Sequence, residues 1–132
     1  MNTLKAKLPL VARIFLGLVF TVFGLNGFLQ FMPMPELPPA GGAFLGALVQ
    51  TGYMFPLIKG TEVVAGLLLL FGRFVPLALT LLAPVTVNIL LFHLVLAPPP
   101  AMPLLIIAAQ LYLAYSYRQV FAPMLASQTT HE

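Results

Sequence analysis

The sequence predicts an all-α membrane protein: a bundle of four transmembrane helices, N-in and C-in, with a short interfacial or re-entrant helix between spans one and two. Three observations lead to this prediction. Of the 132 residues, 61% are hydrophobic and only 7% are charged, whereas soluble domains carry roughly 25% charged residues. The apolar residues form four long runs, and a helix needs about 20 such residues to cross a bilayer. Five of the six basic residues gather at one side of these runs.

The first apolar run covers residues 9–32 and predicts span one, interrupted only by Arg13, Asn26 and Gln30. Residues 33–42 then contain four prolines and two adjacent glycines, which cannot continue a helix and so predict a loop. The apolar stretch at residues 43–49 is too short to span, and we interpret it as the interfacial or re-entrant helix.

The remaining spans are predicted at residues 53–71, 74–96 and 104–121. The very short turn at Gly72 and Arg73 makes spans two and three antiparallel neighbours. Pro76 and Pro84 are expected to kink span three. We therefore predict a single transmembrane domain over residues 1–126, followed by a polar tail at 127–132.

The distribution of basic residues predicts the orientation of the bundle. Those at or near the predicted cytoplasmic loops and span ends are Lys5, Lys7, Arg13, Arg73 and Arg118. The two loops on the other side carry only Glu36, and an excess of Lys and Arg marks the cytoplasmic side. The net charge of +3 is too scattered to form a nucleic-acid-binding patch. The absence of cysteine excludes disulfides, thiolate metal sites and iron–sulfur ligation within this chain.

Lys59 and Glu62 are the most informative polar residues, because they lie inside the predicted second span. Residues three apart share a helix face and can partly neutralise each other. Ionisable groups at membrane depth are costly and usually face a bundle interior or a wet cavity. The pair is therefore the first candidate for a functional site. The alternative is a structural ion pair that locks span two to its neighbours.

Other spans place polar groups at a similar depth, and we include them with the pair in a candidate polar pocket. These are Asn26 on span one, Asn88 on span three and Gln110 on span four, with His93 nearer the outer surface. Helical phase prevents all of them from converging on one point, and hydrogen bonding between helices is the alternative role for the amides. Gly17 and Gly66 are predicted packing residues, and Arg13 and Arg73 are topology signals. No cluster of residues predicts a metal site.

Several segments together resemble the DoxX family of small four-span membrane proteins. They are Arg13-Ile-Phe-Leu-Gly17, Phe23-Gly-Leu-Asn-Gly-Phe28, Lys59-Gly-Thr-Glu62-Val-Val-Ala-Gly66 and Asn88-Ile-Leu-Leu-Phe-His93. The resemblance implies a multi-pass four-helix bundle in the inner (cytoplasmic) membrane of a prokaryotic cell. It also implies a link to redox chemistry, since the family name comes from a subunit related to thiosulfate:quinone oxidoreductase. Arg13, Glu62 and His93 match polar positions of the family pattern.

These observations lead to three functional hypotheses. The first is a redox-associated or quinone-interacting membrane subunit that works with a redox partner protein or as a homo-oligomer in the bilayer. The second is a transporter or binder of a small lipophilic or cationic compound that uses Glu62, and the third is a structural assembly subunit. The chain has no cofactor motif of its own, so quinone is the ligand that the first hypothesis implies. A lone catalytic role is not expected, because no nucleophile–base pair, metal cluster or phosphate loop is present.

Overall fold

The structure is a computed structural model that describes residues 2–33 and 36–130. Within these residues every regular element is helical, which confirms the predicted all-α class. The helices are α1 (Asn2–Leu29), α2 (Pro39–Gln50), α3 (Met54–Phe71), α4 (Val75–Leu91), α5 (Ala101–Ser116) and α6 (Arg118–Phe121). A π-helical turn at Phe92–Leu96 prolongs α4, and a 3₁₀ turn at Ala122–Leu125 follows α6. Residues 34–35 of the predicted loop and 131–132 of the predicted tail lie outside the described residues.

Four helices form the bundle, arranged in the order α1, α3, α4, α5 around a closed ring. Each packs against its two neighbours in this ring, and α5 closes it against α1. The contact between α1 and α3 is the most extensive in the molecule. Three helical segments are apolar and long enough to cross a bilayer, at Lys5–Leu29, Met54–Phe71 and Val75–Leu96. The fourth, α5, has 16 residues, or about 24 Å of helix, and is prolonged by α6 beyond a break at Tyr117.

The apolar core is formed by residues of α1, α3, α4 and α5. Its buried residues are Ala12, Leu16, Phe20, Ala65, Leu69, Val75, Ala78, Leu79, Leu82, Ile106 and Leu113. Most of the large apolar side chains outside this core are exposed on the helix surfaces. This pattern is expected of a protein whose solvent is lipid, because apolar surface gains nothing from burial away from acyl chains.

The α3–α4 turn is held by backbone geometry that glycine favours. Gly72 has φ +68° and ends α3 in the left-handed conformation. Its N–H donates to the carbonyl of Leu69, and the N–H of Arg73 donates to the carbonyl of Leu68. These two bonds satisfy carbonyls that the helix end would otherwise leave unpaired.

The short helix α2 docks at the opposite end of the bundle. Gly41 is buried there, and a Cβ on it would lie 3.2 Å from the Phe92 ring. The rings of Phe44 and Phe92 have centroids 5.7 Å apart. α2 therefore packs against the π-helical end of α4 and the start of α3.

Helix bounds differ from the sequence prediction at several places, including the start of α5 at Ala101 rather than residue 104, and three of the differences have a local cause. α1 begins at Asn2 rather than residue 9 and includes Pro9, which helices in membranes tolerate. It ends at Leu29 rather than residue 32, because Gln30 has φ +52°. α2 begins inside the predicted loop, since Pro39 occupies the first helical turn, where a missing N–H costs nothing.

Candidate functional site

The ionisable pair of the second spanning helix lies on one face of α3. Lys59 Nζ is 3.1 Å from Glu62 Oε2, and the side chains are 22% and 4% exposed. The charges attract at this distance, although Oε2 is not aligned to accept a regular hydrogen bond from the described residues. Glu62 therefore points into the bundle, while the ammonium of Lys59 stays partly accessible from outside it.

The neighbouring helix α1 shapes the space that Lys59 occupies. A Cβ on Gly27 would lie 2.5 Å from Lys59 Cγ, and a Cβ on Gly24 would lie 3.1 Å from the Lys59 carbonyl oxygen. Lys59 Nζ also lies 5.7 Å from the centroid of the Phe55 ring. The lysine stem thus runs along a glycine surface of α1, and its charged end lies beside an aromatic ring.

The same close approach of helices continues toward the α3–α4 turn. A Cβ on Gly66 would lie 2.6 Å from the backbone nitrogen of Thr21, and a Cβ on Gly17 would lie 2.9 Å from that of Leu70. Gly17 and Gly66 therefore lie at the point where the backbones of α1 and α3 come closest. Small residues permit such close contact between membrane helices, where dispersion drives association.

Gln110 is buried between α5 and α4. Its Nε2 donates to the backbone carbonyl of Leu79 at 3.1 Å, and Gln110 is 8% exposed. A carbonyl only accepts, so this bond fixes the orientation of the amide. Oε1 has no partner within the described residues. The amide thus connects two neighbouring helices by one hydrogen bond.

The two asparagines lie in different surroundings from the ion pair. Asn26 Oδ1 accepts a 2.8 Å hydrogen bond from the backbone N–H of Met32, which fixes the chain as it leaves α1. Asn88 is exposed on the outer surface of the bundle. The structure therefore does not bring Asn88 together with Lys59 and Glu62, because its position on α4 turns it toward lipid.

His93 belongs to the π-helical turn that ends α4. Its Nδ1 is 2.9 Å from the backbone carbonyl of Ile89, and its ring packs edge-on against Phe92 at 5.1 Å. Because a carbonyl can only accept, Nδ1 is the donor in this hydrogen bond. Within the described residues, no group of three or more His, Asp or Glu side chains can hold a metal ion.

The two arginines named as topology signals lie close together at the α3–α4 turn. The guanidinium of Arg13 lies against Gly72, where a Cβ would collide with Nη1. Arg73 is exposed beside it. Arg13 is thus level with the end of α3, and the part of α1 before it extends past the turn.

The described residues form grooves on the outside of the bundle, and the two best-defined ones do not include Lys59 or Glu62. One has a volume of about 290 Å³ between α4 and α5, and Thr80, Thr86 and Gln110 are the polar residues among its walls. The other has about 370 Å³ between α3 and α4, beside Gly60 and Thr61. The pair is therefore reached along the α1 side of α3, opposite the second groove.

Sequence reasoning missed three residues that shape this region: Gly27, Thr21 and Thr86. Gly27 holds the space for Lys59, and it continues the small-residue spacing of Gly17 and Gly24, a signal that was available. Thr86 is buried and returns its hydroxyl to the Leu82 carbonyl at 2.8 Å. The Thr21 hydroxyl is buried at the α1–α3 contact, and nothing in the sequence surroundings of this residue distinguishes it.

A comparison with protein families matches the chain to the DoxX family model over residues 8–95. The matched segment runs from the first turns of α1 to the π-helical turn after α4. It contains five of the six polar-pocket candidates, all except Gln110. Neither a curated protein nor a solved structure matches the chain.

Proposed function

The chain belongs to the DoxX family, and from this premise we propose that it is a redox-associated, quinone-interacting membrane subunit whose head-group site is the Lys59–Glu62 pair. The observation that carries the proposal is the asymmetry of the pair. Glu62 is buried in the bundle, whereas Lys59 is 22% exposed at its side chain. A site of this kind holds a charge inside the apolar region and still offers it to a ligand that arrives through the bilayer.

The chemistry of the pair suits an uncharged ligand that accepts hydrogen bonds. An ammonium has three N–H donors, and the carboxylate oxygen 3.1 Å away attracts the charge without accepting a regular hydrogen bond from it. In this proposal the ammonium donates to a quinone carbonyl oxygen. In this proposal Glu62, adjacent to the ammonium, holds or passes the proton that accompanies quinone reduction.

The electrons in this proposal come from a partner. The chain has no cysteine, which excludes an iron–sulfur centre of its own. Its described residues also contain no candidate metal cluster. We therefore propose a redox partner protein in the same membrane, the cytoplasmic membrane of a prokaryote, with the present chain supplying the quinone contact.

Two features of the pair favour this role over the alternatives. Lys59 already neutralises Glu62 at 3.1 Å, so a cationic cargo would have to displace a tethered cation to reach the carboxylate. The pair also lies within a single helix. It therefore does not tether α3 to another helix, as a structural lock would.

The experiment that tests the proposal is photolabelling in native-lipid nanodiscs with a short-chain benzoquinone that carries a diazirine. Labelling is expected on peptides that contain Lys59. It should fall about tenfold in Lys59→Gln, because a hydrogen bond from a charged group is worth roughly 1.5–3 kcal/mol. The matched control is Thr61→Val on the same helix, whose hydroxyl is turned back to the Leu57 carbonyl.

Equal labelling of wild type, Lys59→Gln and Thr61→Val would refute a quinone site at the pair. Glu62→Gln adds a second measurement, because it keeps the shape of the side chain and removes its charge. If that variant binds the quinone normally and abolishes proton-coupled uptake of a lipophilic cation into vesicles, the transport hypothesis replaces the present one.

A further inference from the structure

The end of the bundle at the α3–α4 turn carries a concentration of basic residues. Its basic residues are Lys5, Lys7, Arg13, Arg73 and Arg118, and we call it the basic end. The carboxylates among the described residues are Glu36, in the loop at the opposite end, and Glu62, which pairs with Lys59. The described part of the basic end therefore lacks a carboxylate counter-ion.

One of these cations, Arg13, has a defined packing position, which we call its seat. The guanidinium of Arg13 lies directly against the backbone of Gly72, and a side chain at position 72 would collide with Nη1. Gly72 also has φ +68°, a conformation that other residues rarely adopt. The turn thus provides a flat, side-chain-free surface on which a planar guanidinium fits.

Arg13 makes no hydrogen bond within the described residues, and its Nε is buried without a partner. The residue is only partly exposed, and a guanidinium stays charged at every accessible pH. The carbonyl end of α3 contributes a partial negative charge of only about half a unit, so it does not fully neutralise the guanidinium. The planar guanidinium fork matches a phosphate group, and because Nε is buried, a phosphate would meet its Nη1 and Nη2 ends.

Arg118 provides an internal comparison, because its charge is already engaged. Its Nη1 donates to the Tyr115 carbonyl at 3.0 Å, and its guanidinium carbon lies 4.4 Å from the centroid of the Tyr115 ring. Of the two arginines, only Arg13 therefore packs against the backbone of the turn and lacks a hydrogen-bond partner in the described structure.

We propose that Arg13, with Arg73 beside it, binds the phosphodiester of an anionic phospholipid at the basic end. The source of the phosphate is a lipid, because the seat is flanked by apolar surface suited to acyl chains. Phe71 is 74% exposed and Phe74 is 70% exposed on either side of the Gly72–Arg73 turn. The exposed side chain of Leu10 adds to this surface on α1.

The test is native mass spectrometry of the full chain released from nanodiscs with equal amounts of phosphatidylglycerol and phosphatidylcholine. Wild type is expected to retain phosphatidylglycerol in preference to phosphatidylcholine. Arg13→Gln is expected to lower that retention about fivefold or more, as each basic contact with an anionic headgroup is worth about 1 kcal/mol. Arg118→Gln, which removes the same charge, should change it less than about twofold, because exposed charges are individually weak.

Equal losses in Arg13→Gln and Arg118→Gln would overturn the proposal, since they would show diffuse attraction without a site. Retention that is unaffected by Arg13→Gln would overturn it as well. Release of the lipid by millimolar inorganic phosphate would also overturn it, by pointing to a site for the free anion.

A measurement on the wild type keeps the test independent of variant folding. A phosphatidylglycerol with a diazirine next to its headgroup should label peptides that contain Arg13 and Arg73 more strongly than the matching phosphatidylcholine probe does. Equal labelling by the two probes, or labelling confined to the opposite end of the bundle, would refute the site.

Discussion

Lys59 of α3 occupies the space that a side chain at Gly27 of α1 would fill. A Cβ on Gly27 would lie 2.5 Å from Lys59 Cγ and 2.6 Å from Cδ. The position of the ammonium, and with it the geometry of the Lys59–Glu62 pair, therefore depends on the absence of a side chain on the neighbouring helix. This relationship links helix packing to the proposed head-group site and leads to the first prediction.

Gly27→Ala is expected to displace the Lys59 stem while the fold is kept. The clashing atoms belong to a flexible side chain, so the cost should be small, about 1 kcal/mol, at the low end of overpacking. Quinone photolabelling should nevertheless fall, because the ammonium moves. Melting temperature and quinone labelling, each measured for wild type and for Gly27→Ala, test these two expectations. Unchanged labelling in the folded variant would show that Lys59 does not depend on this space.

Gly66→Ala is expected to destabilise the bundle more strongly. Its Cβ would meet the Thr21 backbone nitrogen at 2.6 Å and the Gly17 carbonyl oxygen at 3.1 Å, and backbone cannot move aside as a side chain can. Overpacking of this kind costs about 1–3 kcal/mol. The matched control is Gly60→Ala on the same helix, where a Cβ meets nothing within 4 Å. That variant should gain about 0.5–1 kcal/mol from helix propensity. Equilibrium unfolding in mixed micelles measures the stability of both variants. Equal stabilities would contradict the close α1–α3 contact.

Lys59→Met is expected to destabilise the protein more than the double variant Lys59→Met, Glu62→Met does. The single change leaves Glu62 buried without its counter-ion, and breaking a buried pair costs about 3–5 kcal/mol. Replacement of both residues removes the buried charge, which is often neutral for stability. A double variant that folds normally and no longer binds quinone supports a functional pair. A double variant that folds and binds quinone as the wild type does would favour a structural assembly role for the pair.

Gln110 tests how much a hydrogen bond between membrane helices contributes. Gln110→Met keeps the volume and loses the bond to the Leu79 carbonyl, and such bonds average about 0.6 kcal/mol in membrane bundles. Gln110→Ala also creates a cavity, which should cost about 2–5 kcal/mol by analogy with other large-to-Ala changes. Thermal unfolding of the two variants separates these contributions. Equal losses would mean that the amide itself, rather than its volume, holds α5 against α4.

The asparagines are expected to differ in their effect on the chain. Asn26→Leu removes the acceptor of the Met32 N–H and should speed hydrogen exchange at residues 30–32 by about fivefold, the equivalent of one net hydrogen bond of roughly 1 kcal/mol. Asn88→Leu, on the exposed surface of α4, should leave that exchange unchanged. Faster exchange in both variants, or in neither, would contradict the different surroundings of the two residues.

The polar candidates show which contacts helical phase can predict and which it cannot. The phase on α3 places Lys59 and Glu62 on one face, and the structure joins them at 3.1 Å. Depth alone suggested that Asn88 belongs with them, but depth carries no information about rotation around the helix axis. The direction that Asn88 faces depends on which neighbours α4 has, and four similar apolar helices do not specify their order around a ring.

The sequence by itself determined the class of the protein, the approximate extent of its helices and the family to which it belongs. These follow from local properties: the length of each apolar run, proline and glycine at the breaks, and the order of polar residues along the chain. Only the tertiary structure decided the ring order α1, α3, α4, α5, the seat of Arg13 on Gly72, and the contact between Lys59 and Gly27. Each of these depends on how closely two backbones approach. In a bilayer, that distance is set by the fit of small side chains between particular helices, because burial of apolar surface provides little driving force there.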